Sequence, residues 1–272
     1  MRLRSLLYVP AHSERFVAKA HERGADAVIL DLEDSVPEAD KDAARAGLAA
    51  AVARVGRNGA PVFVRVNAGA RRADDALAAC RAGATGLVIA KAESAEELER
   101  LSELLGAEEA SAGRAAMPFI TTIESPGALL DARSIARVPR VLGLGLGSED
   151  FVLATGGVPT PEVLRLPKLL VHYAAKAEGK LSLGLLQSIA DYQDIAALER
   201  AAAEARSHGF DGSTCIHPAV VPVLNAGFDP TEAERAWARE VLAAAASNGD
   251  TFALDGQMVD APVIARARRM LE

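Results

Sequence analysis

Eight short, nearly unbroken apolar runs recur along this chain, separated by longer alanine-rich amphipathic stretches. The runs are Ser5–Val9, Ala27–Leu32, Val62–Val66, Gly86–Ala90, Phe119–Ile123, Val141–Leu146, Leu181–Leu186 and Gly212–Ile216. Such runs suit strands covered on both faces. The stretches between them, among them Ser13–Arg23, Glu38–Val55, Ala95–Leu105, Gly127–Ala136, Glu162–Ala177 and Ile195–His208, suit helices. Strict alternation calls for a parallel α/β sheet. Eight units in about 225 residues favour closure into a (β/α)8 TIM barrel over an open doubly wound sheet. No Gly-x-Gly-x-x-Gly turn follows the first strand, so a dinucleotide fold loses its main support. Gly143-Leu144-Gly145-Leu146-Gly147 falls in a strand and reads as tight packing.

The barrel is expected over residues 1–228, as the catalytic domain. Residues 229–272 are too few for a domain and are expected to form a C-terminal helix and an arm or lid packing on a neighbouring subunit. Within them Thr231–Ala246 reads as a helix opened by a Thr231/Glu234 capping box. Ser247–Asp255 reads as a polar loop, and Gln257–Pro262 leads into a last helix, Val263–Leu271.

The formal net charge of −7 argues against broad nucleic-acid binding, which needs a basic face. An anionic substrate must then be held by a few placed cations. No apolar run approaches the roughly 18 residues of a membrane span. The basic start and apolar run of residues 1–10 end at Pro10 with no small-residue cleavage site, and read as a strand. Cys80 and Cys215 lack metal or disulfide spacing, which points to a reducing cytoplasm.

In a barrel the C-terminal strand ends carry the chemistry. Here six of the eight runs lead into ionisable groups: Asp31-Leu32-Glu33-Asp34, Arg65-Val66-Asn67, Lys91-Ala92-Glu93, Glu124-Ser125-Pro126, Ser148-Glu149-Asp150 and His217-Pro218. Glu124 and Asp150 are the candidate metal ligands. Two carboxylates without cysteine or paired histidine suit Mg²⁺, with Mn²⁺ as an alternative, better than Zn²⁺. Their competing role is to cap the helices that follow. Arg65 offers a fork of donors to a carboxylate or enolate oxygen, with a salt bridge to Glu33 or Asp34 as its competing or supporting role. Asp31 is expected to bond a loop. Lys91 is expected to steady Glu33 or Glu124; a Schiff base there would define a metal-free aldolase. His217 reads as a packed or hydrogen-bonded residue. Arg15, Lys19 and Arg23, at helical i, i+4, i+8 spacing, form a basic stripe able to meet coenzyme A phosphates, or simply a solvated face.

Seven of these stretches resemble, in order and over essentially the whole chain, the citrate lyase beta-subunit-like branch of the HpcH/HpaI aldolase superfamily. They are Arg4–Ala11, Asp31–Val36, Arg65–Asn67, Lys91–Ser94, Ile123–Gly127, Leu146–Asp150, and Gly209–Gly212 with Ile216–Pro218. The resemblance implies a homotrimer or dimer of trimers, Mg²⁺ on Glu124 and Asp150, and Arg65 on the reacting substrate supported by Glu33. It also implies a thioester carrier entering over the first helix, near Arg15 and Lys19. Gln257-Met258-Val259-Asp260-Ala261-Pro262 is similar to the arm of malyl-CoA and citramalyl-CoA lyases, which implies Asp260 as an acid/base reaching a neighbouring subunit's site. Two positions depart from the pattern. Leu183–Ser188 has no aspartate where many relatives carry one, and Lys168 stands where many have arginine.

The expectation is a Mg²⁺-dependent carbon–carbon lyase converting a malyl-, methylmalyl- or citramalyl-CoA into an acyl-CoA and a 2-oxo acid, or the reverse. Its rivals are a citrate lyase beta subunit acting on an acyl-carrier-protein thioester, a malyl-CoA thioesterase, a class II pyruvate aldolase and a non-enzymatic complex subunit.

Overall fold

Successive side chains of a strand point to opposite faces, and that parity organises the barrel. The computed structural model describes residues 2–190 and 192–271. Its first eight strands are β1 (Ser5–Pro10), β2 (Ala27–Asp31), β3 (Val62–Val66), β4 (Gly86–Ile89), β5 (Phe119–Ile123), β6 (Val141–Leu146), β7 (Leu181–Leu183) and β8 (Ser213–Cys215). They pair in parallel in the order β7-β6-β5-β4-β3-β2-β1-β8. A parallel bridge between Leu183 and Gly212 joins the two ends of this sheet. The expected TIM barrel is the observed fold.

One parity fills the interior with Leu6, Ile29, Phe63, Val88 and Ile120. The other parity, including Leu7, Val28, Val64 and Leu87, packs outward in a second apolar cluster with residues of the surrounding helices. Both sides of each strand are therefore dry, which is why the strands read as continuous apolar runs.

Several helices differ from expectation. Sequence periodicity predicts one helix over Ser13–Arg23; the chain forms an α turn at Glu14–Val17 and a 3₁₀ turn at Ala20–Glu22. Only Val17 and Ala20 are buried there, too little packing to hold a regular helix. Glu38–Val55 divides into a 3₁₀ turn and two helices, Lys41–Ala46 and Leu48–Val55, broken at Gly47. Gly127–Ala136 divides into Pro126–Leu130 and Ala132–Arg137. The seventh strand stops at Leu183 rather than Leu186, because Gly184 turns the backbone to φ +147°. Ile195–His208 is a helix with the expected bounds.

At the N-terminal ends of β5 and β6, Arg140 donates to both oxygens of Glu109 at 2.6 Å each, and the Met117 N–H donates to Glu109 at 2.7 Å. Arg140 also donates to the Ser102 and Met117 carbonyls. Glu109 is buried.

Residues from Asp229 onward form a second compact unit. Its Glu232–Asn248 helix begins with the expected capping box, Thr231 and Glu234 bonding reciprocally. The segment expected as a loop holds a strand: β9 (Phe252–Leu254) pairs antiparallel with β10 (Gln257–Val259). Asp255 and Gly256, at φ +49° and +76°, make the two-residue turn. The final helix, Ala261–Leu271, packs Ile264 and Ala267 with Ala238, Val241 and Val259. No helix among the described residues is long and apolar enough to cross a membrane.

Burial alone would raise the Glu109 carboxyl, but the Arg140 and Met117 hydrogen bonds hold it below the usual carboxylate range. A depressed folded pKa gives stability that is present above the unfolded value, about 4.3, and lost as pH falls through the folded one. Glu109→Gln is expected to destabilise the barrel by about 3 kcal/mol at pH 7 and to flatten this part of the acid limb. Urea titrations at pH 7 and between pH 5 and 3 measure both effects.

Candidate active site

The parity that packs the interior also aims the charged strand ends inward. Tyr8 lies two residues beyond Leu6, Asp31 two beyond Ile29, and Arg65 two beyond Phe63. Thr122 and Glu124 lie two and four beyond Ile120. All five line a cavity of about 340 Å³ at the C-terminal mouth of the barrel, with Asp34, Asp150 and Lys168.

Arg65 is immobilised from three sides. Nε and Nη2 each donate to one oxygen of Asp31 at 2.6 Å. Nη1 lies 2.9 Å from Glu33 Oε2 and donates to Asp34 Oδ2 at 3.1 Å. The guanidinium carbon sits 4.9 Å from the centre of the Tyr8 ring. Asp31 is fixed in turn by the Glu33 N–H at 2.9 Å, the Ser35 N–H at 3.1 Å and the Ser35 hydroxyl. Burial works against the Asp31 anion, yet the paired bonds from Arg65 hold its carboxyl below the usual range. Burial also works against the Arg65 cation, and Asp31, Tyr8 and Glu33 overcome it, so the guanidinium stays charged. The sequence expectation pairs Arg65 with Glu33 or Asp34. Both contacts occur, but the bidentate partner is Asp31, which serves Arg65 as well as the expected loop.

Lys91 stands among four carboxylates. Its Nζ donates to Glu33 Oε1 at 2.7 Å and lies 3.8 Å from Asp34, 3.9 Å from Glu124 and 3.7 Å from Asp150. Lys91 has φ +51°, a left-handed backbone that a lysine seldom adopts. Arg72, itself buried, donates to the Ala90 carbonyl at 2.6 Å and reaches that of Lys91 at 3.4 Å, tying down the end of β4 there. Burial opposes the Lys91 ammonium, but Glu33 and the other acids raise its pKa and keep it charged.

Neither Glu124 nor Asp150 caps a helix. Ser125 caps the helix after β5, accepting from the Ala128 N–H. The Ser148–Thr155 helix has Gly147 at its cap position and no side-chain cap. Glu124 Oε1 accepts from the Thr122 hydroxyl at 2.6 Å. Glu124 Oε2 is buried and has no hydrogen-bond donor among the described residues. Such a buried anionic oxygen is costly without a cation or donor. Burial and the nearby Glu33 and Asp150 charges raise the Glu124 carboxyl, with the Thr122 bond opposing. Gly147 leaves the room Glu124 needs, because a Cβ there would fall 2.5 Å from Glu124 Cγ. Among the described residues no cluster of three or more His, Cys, Asp or Glu side chains is arranged as a complete metal site. The Glu124–Asp150 pair suits a hard cation that takes its remaining oxygens from substrate and water.

Arg15, Lys19 and Arg23 line a second cavity of about 410 Å³ with Phe16, Tyr8 and Ile216, although the helix expected to carry them is broken. Phe16 and Ile216 are about half exposed there. His217 stacks on Tyr192 with ring centres 4.7 Å apart and accepts from the Ala219 N–H, the packed role expected of it. Asp260, within the second unit, precedes the final helix, and its carboxylate accepts from the Val263 N–H at 3.4 Å.

Tyr8 and Lys168 are cavity residues that strand-end position does not single out. Inner-face parity with Leu6 identifies Tyr8. Lys168 comes from the helix Pro161–Ala177, on a core-facing stripe with Leu164, Val171 and Ala175.

A closed (β/α)8 barrel that gathers its charges at the C-terminal strand ends is built as an enzyme scaffold. Residues 4–218 match the HpcH/HpaI aldolase/citrate lyase family, and the chain belongs to it. It is 35% identical to a citrate lyase subunit beta-like protein of Deinococcus radiodurans, over 99% of this chain and 96% of that one. It is 33% identical to a (3S)-malyl-CoA thioesterase of Cereibacter sphaeroides, over 98% and 93%. Among solved structures, CitE from Mycobacterium tuberculosis in complex with magnesium, acetoacetate and coenzyme A superposes with a TM-score of 0.81, at 33% identity, over 99% and 97%.

Asp31→Asn should remove the bidentate partner of a buried guanidinium and destabilise the barrel by about 3 kcal/mol, read from the urea midpoint. Equal stability of the variant would mean that Glu33 and Asp34 suffice to hold Arg65.

Proposed function

We propose that the protein is a Mg²⁺-dependent carbon–carbon lyase acting on a short hydroxy-dicarboxylic acyl-CoA such as malyl-, methylmalyl- or citramalyl-CoA. It would release an acyl-CoA and a 2-oxo acid, or join them by Claisen condensation. The observation that supports this reading is that the Glu124 and Asp150 carboxylates both lie within 4 Å of the Lys91 ammonium, in one cavity with an immobilised Arg65. Glu124 and Asp150 would hold the ion, with Mn²⁺ as a substitute. When bound, it supplies Lewis-acid polarisation of substrate hydroxyl and carboxylate oxygens.

Arg65 keeps a fixed positive charge where the departing thioester enolate gains its negative one, and Asp31, Glu33 and Asp34 spare it any reorganisation as that charge builds. Lys91 balances the acids around the cation position. Asp260 gives a proton to the enolate carbon in cleavage and takes it in condensation. Arg15 and Lys19 meet coenzyme A phosphates, while Phe16 and Ile216 offer apolar contact to the carrier. The CoA-bound CitE relative supports a CoA thioester as the substrate form.

A homotrimer, or a dimer of trimers, would let the second unit act as an arm delivering Asp260 to a neighbouring subunit. Self-association is supported by Val163, Leu166, Leu170 and Tyr173, an exposed apolar stripe on the Pro161–Ala177 helix. The two free, buried cysteines are compatible with a cytoplasmic setting. A second reading, malyl-CoA thioesterase, is favoured by the relative of that name. Incubation with Mg²⁺ and each acyl-CoA separates the two: acetyl- or propionyl-CoA with a 2-oxo acid supports the lyase, and free CoA with intact hydroxy acid supports the thioesterase.

Two variants probe the roles. Asparagine caps helices as well as aspartate does, so Asp260→Asn keeps the final helix and removes the acid/base. Turnover should fall at least about a thousandfold while Mg²⁺ and CoA-ester affinity stay near wild type; unchanged turnover removes Asp260 from the mechanism. Lys91→Met deletes a positive charge 3.7–3.9 Å from both proposed ligands. Calorimetry should show Mg²⁺ binding at least about tenfold tighter, and weaker binding would refute the charge-balancing role.

A further inference from the structure

The cavity that holds the proposed cation ligands and the cavity that holds Arg15 and Lys19 share part of their walls. Among the described residues, Tyr8, Pro10 and Ile216 line both. Pro10 and Ile216 carry no side-chain hydrogen-bond donor, so the boundary between the two cavities has one, the Tyr8 hydroxyl.

Tyr8 is half-buried on β1, and among the described residues its hydroxyl has no hydrogen-bond partner. Its ring is already in use. The Arg65 guanidinium lies over it, 4.9 Å from the ring centre, and the ring packs against the barrel interior. Both contacts belong to the ring, and a phenylalanine would make them as well. The hydroxyl is the part of the side chain that the protein itself leaves unused. Burial raises the phenol pKa; Arg65 opposes the shift, and the Asp31, Glu124 and Glu33 carboxylates add to it. The phenol therefore stays protonated and serves as a donor.

We infer that the Tyr8 hydroxyl donates a hydrogen bond to the thioester oxygen of the substrate, and is a catalytic residue that shares with Arg65 the negative charge of the enolate. The inference rests on the proposed lyase reading and deepens it. In that reading the carrier lies along Arg15 and Lys19 and the acyl unit lies by Glu124 and Asp150. The thioester joins the two, so it crosses the boundary where Tyr8 stands. Cleavage of the carbon–carbon bond leaves its electron pair on the thioester fragment, delocalised onto that oxygen. The oxygen becomes a stronger acceptor as the charge grows, so a fixed neutral donor favours the transition state over the ground state. The phenolic proton stays on Tyr8, and the proton that reaches the enolate carbon comes from Asp260. The competing role of Tyr8 is to support Arg65 alone, and to that the hydroxyl contributes nothing.

Tyr8→Phe keeps the ring and removes the donor. Its partner in the test is the magnesium-loaded full chain, with whichever of malyl-, methylmalyl- and citramalyl-CoA wild type cleaves. In the variant kcat should fall about a hundredfold while KM stays within about threefold. Free CoA, which has no thioester oxygen, should bind both proteins alike, and the urea midpoint should not move. An unchanged kcat overturns the assignment and leaves the lyase reading intact. A loss carried by KM, CoA affinity or the urea midpoint does the same, because it marks a structural role. Wild type that turns over none of the three esters overturns the lyase reading and this inference with it. Wild type that only releases free CoA overturns the lyase reading alone if Tyr8→Phe slows that hydrolysis comparably, and both if it does not.

Discussion

The arrangement of the mouth depends on one buried guanidinium. Arg65 is the inward residue next above Phe63 on β3, so the same parity that fills the barrel interior delivers a positive charge to its rim. That charge is expensive to bury, and Asp31, at the matching height on β2, answers it in bidentate geometry. Register makes this possible, because Asp31 and Arg65 are direct partners in the β2–β3 ladder. Glu33 and Asp34 then follow on the loop leaving β2, and the Asp31 carboxylate accepts bonds from that loop's backbone. One ion pair thus fixes strand ends, a loop and the orientation of a donor fork.

The charges beyond Arg65 are arranged in tension. Glu33 and Glu124 are buried acids whose pKa values lie above the usual range, chiefly through desolvation. Lys91 relieves part of that repulsion from the middle of the group, and its left-handed backbone is the conformational cost of placing an ammonium there. A strained residue among desolvated acids lowers stability. Its persistence is understandable where the acids must stay ready to take a cation and the lysine keeps them compatible until then. The opposite end of the barrel shows the contrast. Glu109 and Arg140 pair bidentately, satisfy neighbouring backbone groups and leave no carboxylate oxygen looking for a partner.

Much of this was legible in the sequence because strand and barrel geometry are so restrictive. Eight apolar runs fix the barrel, and the first polar residues after each run fall at the mouth. Arg65, Glu124 and Asp150 could be placed near one another on that ground alone, and Glu33, Asp34 and Lys91 with them. The bidentate role of Asp31 follows only when its inward parity is set against that of Arg65 on the neighbouring strand. Tyr8, an uncharged residue within a strand, stands out only through its inward parity with Leu6. Lys168 was visible only as a departure from relatives, since the burial of a helical residue depends on which face meets the sheet. The Asp255-Gly256 turn carried a hairpin signal that a polar stretch concealed, and the first helix broke up because its packing, unlike its periodicity, is weak.

The two lysines of the mouth show why composition alone underdetermines such a site. Each is one positive charge in an acidic chain, yet their surroundings assign them opposite electrostatic tasks. Lys91 is surrounded by carboxylates that raise its pKa, so its charge is consumed within the protein. Lys168 is buried, and desolvation lowers its pKa with Glu149 opposing. In this acid-rich cavity the two lysines therefore differ in what sets their charge: neighbouring carboxylates raise the pKa of Lys91, and burial lowers that of Lys168.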